Sequence, residues 1–256
     1  MHPFEDMDPD AMLSDHCALS LHLDEQFLPI SSAVKWQTRS KEYAFLTQSI
    51  YRQATANLMA RDLPDESWVV VMDIDETILD NSAYQVERDS TGTFYSSATW
   101  AEWVKREEAT LVPGVKGFIE AVLKRGGKLA LVTNRRRTLD NHTWINLQEQ
   151  GIPVTLENTC LMGRSNEDKE FMGQNGIIND KDLRRQQIKN GTASCYKSGK
   201  AERHSDFKKQ VIVMQVGDNI EDFATVLQHD ADLDSLLPRA TDDLILLPNP
   251  MYGSWR

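Results

Sequence analysis

The stretch VVVMDIDETILDNSAYQ, residues 69–85, decides how the rest of the chain is read. A β-branched, apolar run ends in Asp73, and a second acid, Asp75, follows two positions later. Carboxylates are seldom buried without a cation or hydrogen-bond donors to compensate them. In an open α/β sheet the carboxyl ends of the strands are also where ligands bind. The stretch therefore predicts an acidic, metal-ready site at the end of a buried strand.

Working outward, three more apolar runs read as strands: Lys128–Val132, Val211–Val216 and Leu244–Leu247. The first ends at Thr133-Asn134-Arg135 and the second at Gly217-Asp218-Asn219. Between them lie helical patterns. Residues from Ser31 to about Arg61 repeat apolar positions at threes and fours, with Ser40 placed to open a second segment. Pro113-Gly114 precedes a helix over Val115–Lys124 that stops at Gly126-Gly127, and a polar helix from about Asp140 to Gln150 stops at Gly151. Strands alternating with helices predict an α/β fold, a doubly wound parallel sheet. Residues 1–30 read as an arm and 31–256 as a single domain. Helical accessory parts fall at about 31–62 and 81–112, where Trp100 and Trp103 share a helical face. The polar stretch at about 162–194 is expected to be an insertion on the surface.

The chain has 256 residues, 40% hydrophobic and 26% charged, enough for one sizeable domain with a small cap. A formal charge of −11 argues against a nucleic-acid polymer as partner, and means that a phosphate site needs local cations. No stretch has the apolar length of a transmembrane helix. The acidic, polar start MHPFEDMDPDAMLSDHC does not read as a signal peptide, so the protein is cytoplasmic or the chain lacks its export signal. Cys17, Cys160 and Cys195 have no metal-binding spacing and read as free structural thiols. Cys160 with Cys195 is the pair placed to bridge in an oxidising compartment.

Convergence of three strand ends would gather Asp73, Asp75, Thr133 and Asp218, a repulsive cluster for which a divalent cation is the simplest remedy. Hard oxygen donors in that number suit Mg²⁺. Eight ordered pieces then carry a resemblance: VKWQTRSKEYAFLTQSIYRQA (34–54), DIDETILDNSAYQ (73–85), Trp100-x-x-Trp103, LVPGV (111–115), VTNR (132–135), KSGKAER (197–203), VGDNIEDF (216–223) and LPNPMYGSW (247–255). Together they resemble the haloacid dehalogenase superfamily and, more narrowly, the class C bacterial acid phosphatases. The resemblance implies a Mg²⁺-dependent enzyme that hydrolyses small phosphate monoesters, nucleoside 5′-monophosphates or nicotinamide mononucleotide, through an aspartyl-phosphate. It implies Asp73 as nucleophile, Asp75 as acid and base, and Thr133 on a phosphoryl oxygen. Lys200 is the expected phosphate-contacting lysine, in competition with Lys197, and Asp222 its orienting partner. The metal ligands would be Asp73, Asp218 and the backbone carbonyl of Asp75.

Trp100 and Tyr252 are implied as a stacking clamp for a base or nicotinamide ring, core packing being the alternative reading. Asn134 and Arg135 are candidates for touching substrate, with capping and a surface ion pair as their bland alternatives. The family is often found in the cell envelope, and a homodimer is compatible with it. The stretch before Cys195 is longer than the family's connection and is expected to lean over the site. Competing readings are a phosphotransferase on small phosphorylated metabolites and a non-catalytic surface or haem-binding protein. No histidine or cysteine stands out as a haem ligand.

Overall fold

The computed structural model describes residues 29–199, 202–240 and 242–256. The expected N-terminal arm, Cys17 and Lys200 therefore lie outside the described residues, apart from the last two positions of the arm.

A five-stranded, all-parallel sheet forms the centre, in the order β5-β4-β1-β8-β9. Its strands are β1 (Trp68–Met72), β4 (Lys128–Arg136), β5 (Thr159–Arg164), β8 (Val211–Gly217) and β9 (Leu244–Leu246). The apolar runs at 68–72, 128–132, 211–216 and 244–247 are thus sheet strands. β5 was not legible, because its last residues, Gly163 and Arg164, open the polar stretch. Successive β1 side chains alternate between two cores. Val70 and Met72 face a larger cluster with Tyr51, Phe118 and Leu147, whereas Val69 and Val71 face a smaller one with Ile188, Cys195 and Phe207.

Helices follow their sequence signals closely. α1 (Ser32–Arg39) is capped by Ser31, and α2 (Lys41–Ala60) by Ser40, whose hydroxyl accepts from the Tyr43 amide. α2 packs on α5 (Val115–Lys124), and α6 (Asp140–Glu149) contributes to the same face of the sheet. A small antiparallel pair, β2 (Leu79–Asp80) with β3 (Thr110–Leu111), brackets α3 (Ser82–Thr91) and α4 (Ser97–Arg106), which rise as a cap beside the end of β1. The opposite face carries α8 (Asp182–Asn190) and the β6–β7 hairpin, Cys195–Ser198 with Glu202–His204. Short helices α7 (Glu167–Glu170) and α9 (Leu233–Leu236) and the 3-10 turns Arg137–Leu139, Ile220–Asp222 and Leu237–Arg239 complete the described elements. No described helix is long and apolar enough to cross a membrane.

Two features bear on the site. Strand order reverses at β1: the chain builds outward through β4 and β5, then returns to place β8 and β9 on the other side. A crevice therefore opens at the carboxyl end of β1, between the ends of β4 and β8. Second, the 162–194 stretch is exposed at 169–176 but built into the fold on either side. It begins as strand β5, and Asp168, Lys181, Arg184 and Arg185 within it are buried. A disulfide between Cys160 on β5 and Cys195 on β6, both fully buried, closes this segment at its base.

Candidate active site

Asp73 stands at the carboxyl end of β1, its amide donating to the Val216 carbonyl of β8 at 2.9 Å. The chain then turns sharply: the Ile74 carbonyl accepts from the amides of Ile78 and Leu79 at 2.8 and 2.9 Å, and Glu76 adopts a φ of 53°. That turn brings Asp75 to the wall of the crevice. Asp75 Oδ1 accepts from Asn81 Nδ2 at 3.0 Å and from Arg135 Nε at 2.8 Å. Asn81 in turn accepts from Trp103 Nε1 at 2.8 Å and from Arg135 Nη2 at 3.1 Å. The Asp75 carboxyl is thereby held by a buried frame that joins the cap to β4.

Thr133, fully buried, accepts from the Arg135 amide at 3.1 Å through its hydroxyl oxygen. The β4–β5 register shifts between Thr133 and Arg136, which turns Asn134 and Arg135 toward the cavity. Arg135 is committed to Asp75, Asn81 and Thr143 and is 2% exposed, so its first job is to position Asp75. Asn134 lies between Arg184 and Asp180.

The lysine of the site is Lys181, at the N-cap of α8. Its Nζ donates to Asp73 Oδ1 at 2.6 Å and to Asp222 Oδ1 at 2.5 Å. Lys200, the expected lysine, lies outside the described residues. Lys197, the other lysine weighed, is exposed and lies 4.0 Å from Glu202. The sequence signal for Lys181 was an Asn179–Asp182 cap followed by a helix stopping at Gly191 in the left-handed conformation. Arg185 secures this helix start to the end of β8, donating to the Asp222 carbonyl and to Asn179 Oδ1. Arg184, also unforeseen, donates to the carbonyls of Thr133 and Met162 and so ties α8 to the ends of β4 and β5.

Asp73, Asp218 and Asp222 offer carboxylate oxygens within 4.8 Å of one another. Burial pushes the Asp73 carboxyl up to about 7, Lys181 pulling it down and Asp222 and Asp75 pushing it up. Burial, then Asp222 and Asp73, raise Asp218 well above the usual range. Burial alone would lower Lys181, but Asp222 and Asp73 outweigh it and hold the ammonium above its ordinary value. One ammonium thus faces three acids, a donor set whose repulsion a hard divalent cation relieves. Asp222 already spends Oδ1 on Lys181 and Oδ2 on the Asn219 amide. Asp218 gives Oδ2 to Asn249. The residues fit a cation held chiefly by Asp73 and Asp218.

A cavity of about 580 Å³ opens from Asp75, Asn134 and Arg135 and is walled by Trp100, Tyr252 and the exposed Phe94 and Tyr95. Trp100 stands edge-on to Tyr84, ring centroids 5.0 Å apart, and the buried Tyr252 hydroxyl has no hydrogen-bond partner among the described residues.

A family model for subfamily IIIB of the HAD superfamily, the acid phosphatases, matches residues 25–255. The chain belongs to this family. Its fold is similar to that of the class C acid phosphatase from Bacillus anthracis with tungstate bound, at 25% identity and a TM-score of 0.67, over 87% of this chain and 84% of that one. A second structure of the Bacillus anthracis enzyme gives 24% identity and a TM-score of 0.66 over the same shares. The phosphatase is accordingly a phosphomonoesterase, a hydrolase with an acidic aspartate cluster at its centre.

Proposed function

We propose that the protein is a Mg²⁺-dependent acid phosphatase acting through an aspartyl-phosphate on monoesters whose alcohol carries an aromatic ring, nucleoside 5′-monophosphates or nicotinamide mononucleotide. The observation that carries the chemistry is the buried Asp73–Lys181–Asp222 bridge at the switch point of the sheet. Lys181 holds one Asp73 oxygen and so aims the other, the pairing a nucleophilic carboxylate needs. Asp73 attacks phosphorus as the ester P–O bond breaks, and Asp75 protonates the departing alkoxide. Asp75 then takes a proton from water as that water attacks phosphorus, and the bond to Asp73 breaks to release phosphate. Thr133 hydrogen-bonds a phosphoryl oxygen. A bound cation would neutralise phosphoryl charge and polarise the P–O bonds, held by Asp73, Asp218 and the Asp75 carbonyl.

The tungstate in the Bacillus anthracis enzyme is a tetrahedral oxyanion and supports a phosphoryl pocket here. Trp100 and Tyr252 line the cavity, which supports a leaving group that carries an aromatic ring. The buried disulfide supports an oxidising compartment. The test is a screen of 4-nitrophenyl phosphate, adenosine 5′-monophosphate and nicotinamide mononucleotide with Mg²⁺ and with chelator. Chelation is expected to abolish turnover, and Asp73→Asn to lower kcat by about a thousandfold or more with circular dichroism unchanged. Activity retained in Asp73→Asn would sink the covalent mechanism. Phosphate appearing on an added alcohol instead of water would mark a phosphotransferase.

A further inference from the structure

The formal charge of this chain is −11, yet its active-site cavity is lined by Arg88, Arg135, Arg164 and Arg256. Arg135 is spent on Asp75. None of the other three has a carboxylate closer than 3.4 Å among the described residues. Arg88 lies over the Tyr84 ring, and its Nε is buried without a hydrogen-bond partner among the described residues; Glu87 lies 3.9 Å away and is held by Arg106 at 2.6 Å. Arg164 reaches Asp180 only at 3.4 Å, and the other Asp180 oxygen accepts from Asn134. Arg256 donates to the Met251 carbonyl and lies over the Trp255 ring, with no ion-pair partner among the described residues. Of the lining acids, Asp89 accepts from the Ser31 amide and Asp75 is paired.

The scissile phosphoryl group does not account for these cations. Its charge would be met at Asp73 by Lys181 and by the cation that Asp73 and Asp218 would hold, and Asp73 is not part of the cavity wall. Guanidinium donors left unspent on a concave wall lose hydration that a bidentate oxyanion returns. We propose that Arg88, Arg164 and Arg256 recognise a second phosphate, carried on the leaving group. The preferred substrates are then base-bearing bisphosphates, of which a nucleoside 3′,5′-bisphosphate is the simplest. The aromatic wall takes the base and the arginines take the phosphate that is not cleaved. This rests on the phosphomonoesterase reading above and narrows its substrate class.

Steady-state hydrolysis of adenosine 3′,5′-bisphosphate, adenosine 5′-monophosphate and 4-nitrophenyl phosphate at saturating Mg²⁺ tests it. The bisphosphate is expected to have a kcat/KM about tenfold or more above the monophosphate, chiefly through KM, with the advantage shrinking as salt rises. Arg88→Ala with Arg256→Ala should bring that ratio to near one. Calorimetric binding of the bisphosphate to Asp73→Asn protein should weaken about tenfold with the same arginine changes, independently of turnover. Equal kcat/KM for the two adenosine esters in the native protein, or a preference that survives loss of the arginines, overturns the second-phosphate site and leaves the phosphatase standing. Failure to hydrolyse all three esters overturns the phosphatase reading and this proposal with it.

Discussion

Lys181 is the residue on which the charge balance of the site turns. Its ammonium stands between Asp73 and Asp222, and removing it leaves two acids facing each other in a buried centre. Lys181→Ala should lower kcat by about a hundredfold or more, the usual cost of losing one preorganised charge partner. The loss should exceed that of Lys200→Ala by at least about tenfold; the reverse order would return the role to Lys200. A second buried pair governs stability rather than catalysis. Asp140 accepts from Arg203 at 2.5 Å, and burial pushes its carboxyl up to about 6 from an ordinary 3.8, Arg203 offsetting only part of that. Between those values the unfolded chain has released this proton and the folded protein keeps it. Stability from this group is full below about pH 4 and is lost as pH rises through about 6, by about 3 kcal/mol at most. Urea melts of Asp140→Asn from pH 4 to 7 should therefore show a flatter fall over that window than the native protein. Identical pH slopes would contradict the assignment.

At the scale of elements, the end of β8 shows how closely strand and site are fitted. A Cβ on Gly217 would lie 2.0 Å from Asp222 Oδ2 and 2.3 Å from its Cγ. Gly217→Ala must push Asp222 from its place between Lys181 and the Asn219 amide. Overpacking of this kind costs about 1–3 kcal/mol of stability, and the misplaced lysine should lower kcat about a hundredfold. Denaturation and turnover measured on one preparation check both, and unchanged turnover would show that the Asp222 contact is dispensable. Elements with regular apolar content were legible in advance, α5 and β1 both to the residue. β5 and α8 were not. β5 runs from Cys160-Leu161-Met162 straight into Gly163-Arg164, too short a run to register. α8 carries DLRRQQIKN, whose buried arginines replace the usual apolar face with ion pairs and carbonyl contacts, a pattern that periodicity in hydrophobicity does not detect.

Across the whole molecule, the Cys160–Cys195 bridge closes a span of 35 residues that contains Lys181, Arg184 and Arg185. Chain entropy alone makes such a closure worth about 4 kcal/mol. Replacing both cysteines by serine should lower unfolding stability in urea by about 3–4 kcal/mol and reduce kcat, because the bridged segment presents Lys181 to Asp73. A bridge-free variant with native stability would remove its structural role. The sequence by itself determined the parallel α/β sheet and the acids at its strand ends. Those features are local: apolar runs form strands, and a strand delivers its last residues to the sheet's carboxyl edge wherever the neighbours lie. What only the tertiary structure decided is which cation meets Asp73 and where a substrate's remaining charge can go. Lys181 is 108 residues from Asp73 in the chain, and the arginines around the cavity come from the cap, the end of β5 and the C-terminus. Electrostatic partners are chosen by distance in space, and spacing along the chain carries no record of that distance until the sheet has closed around β1.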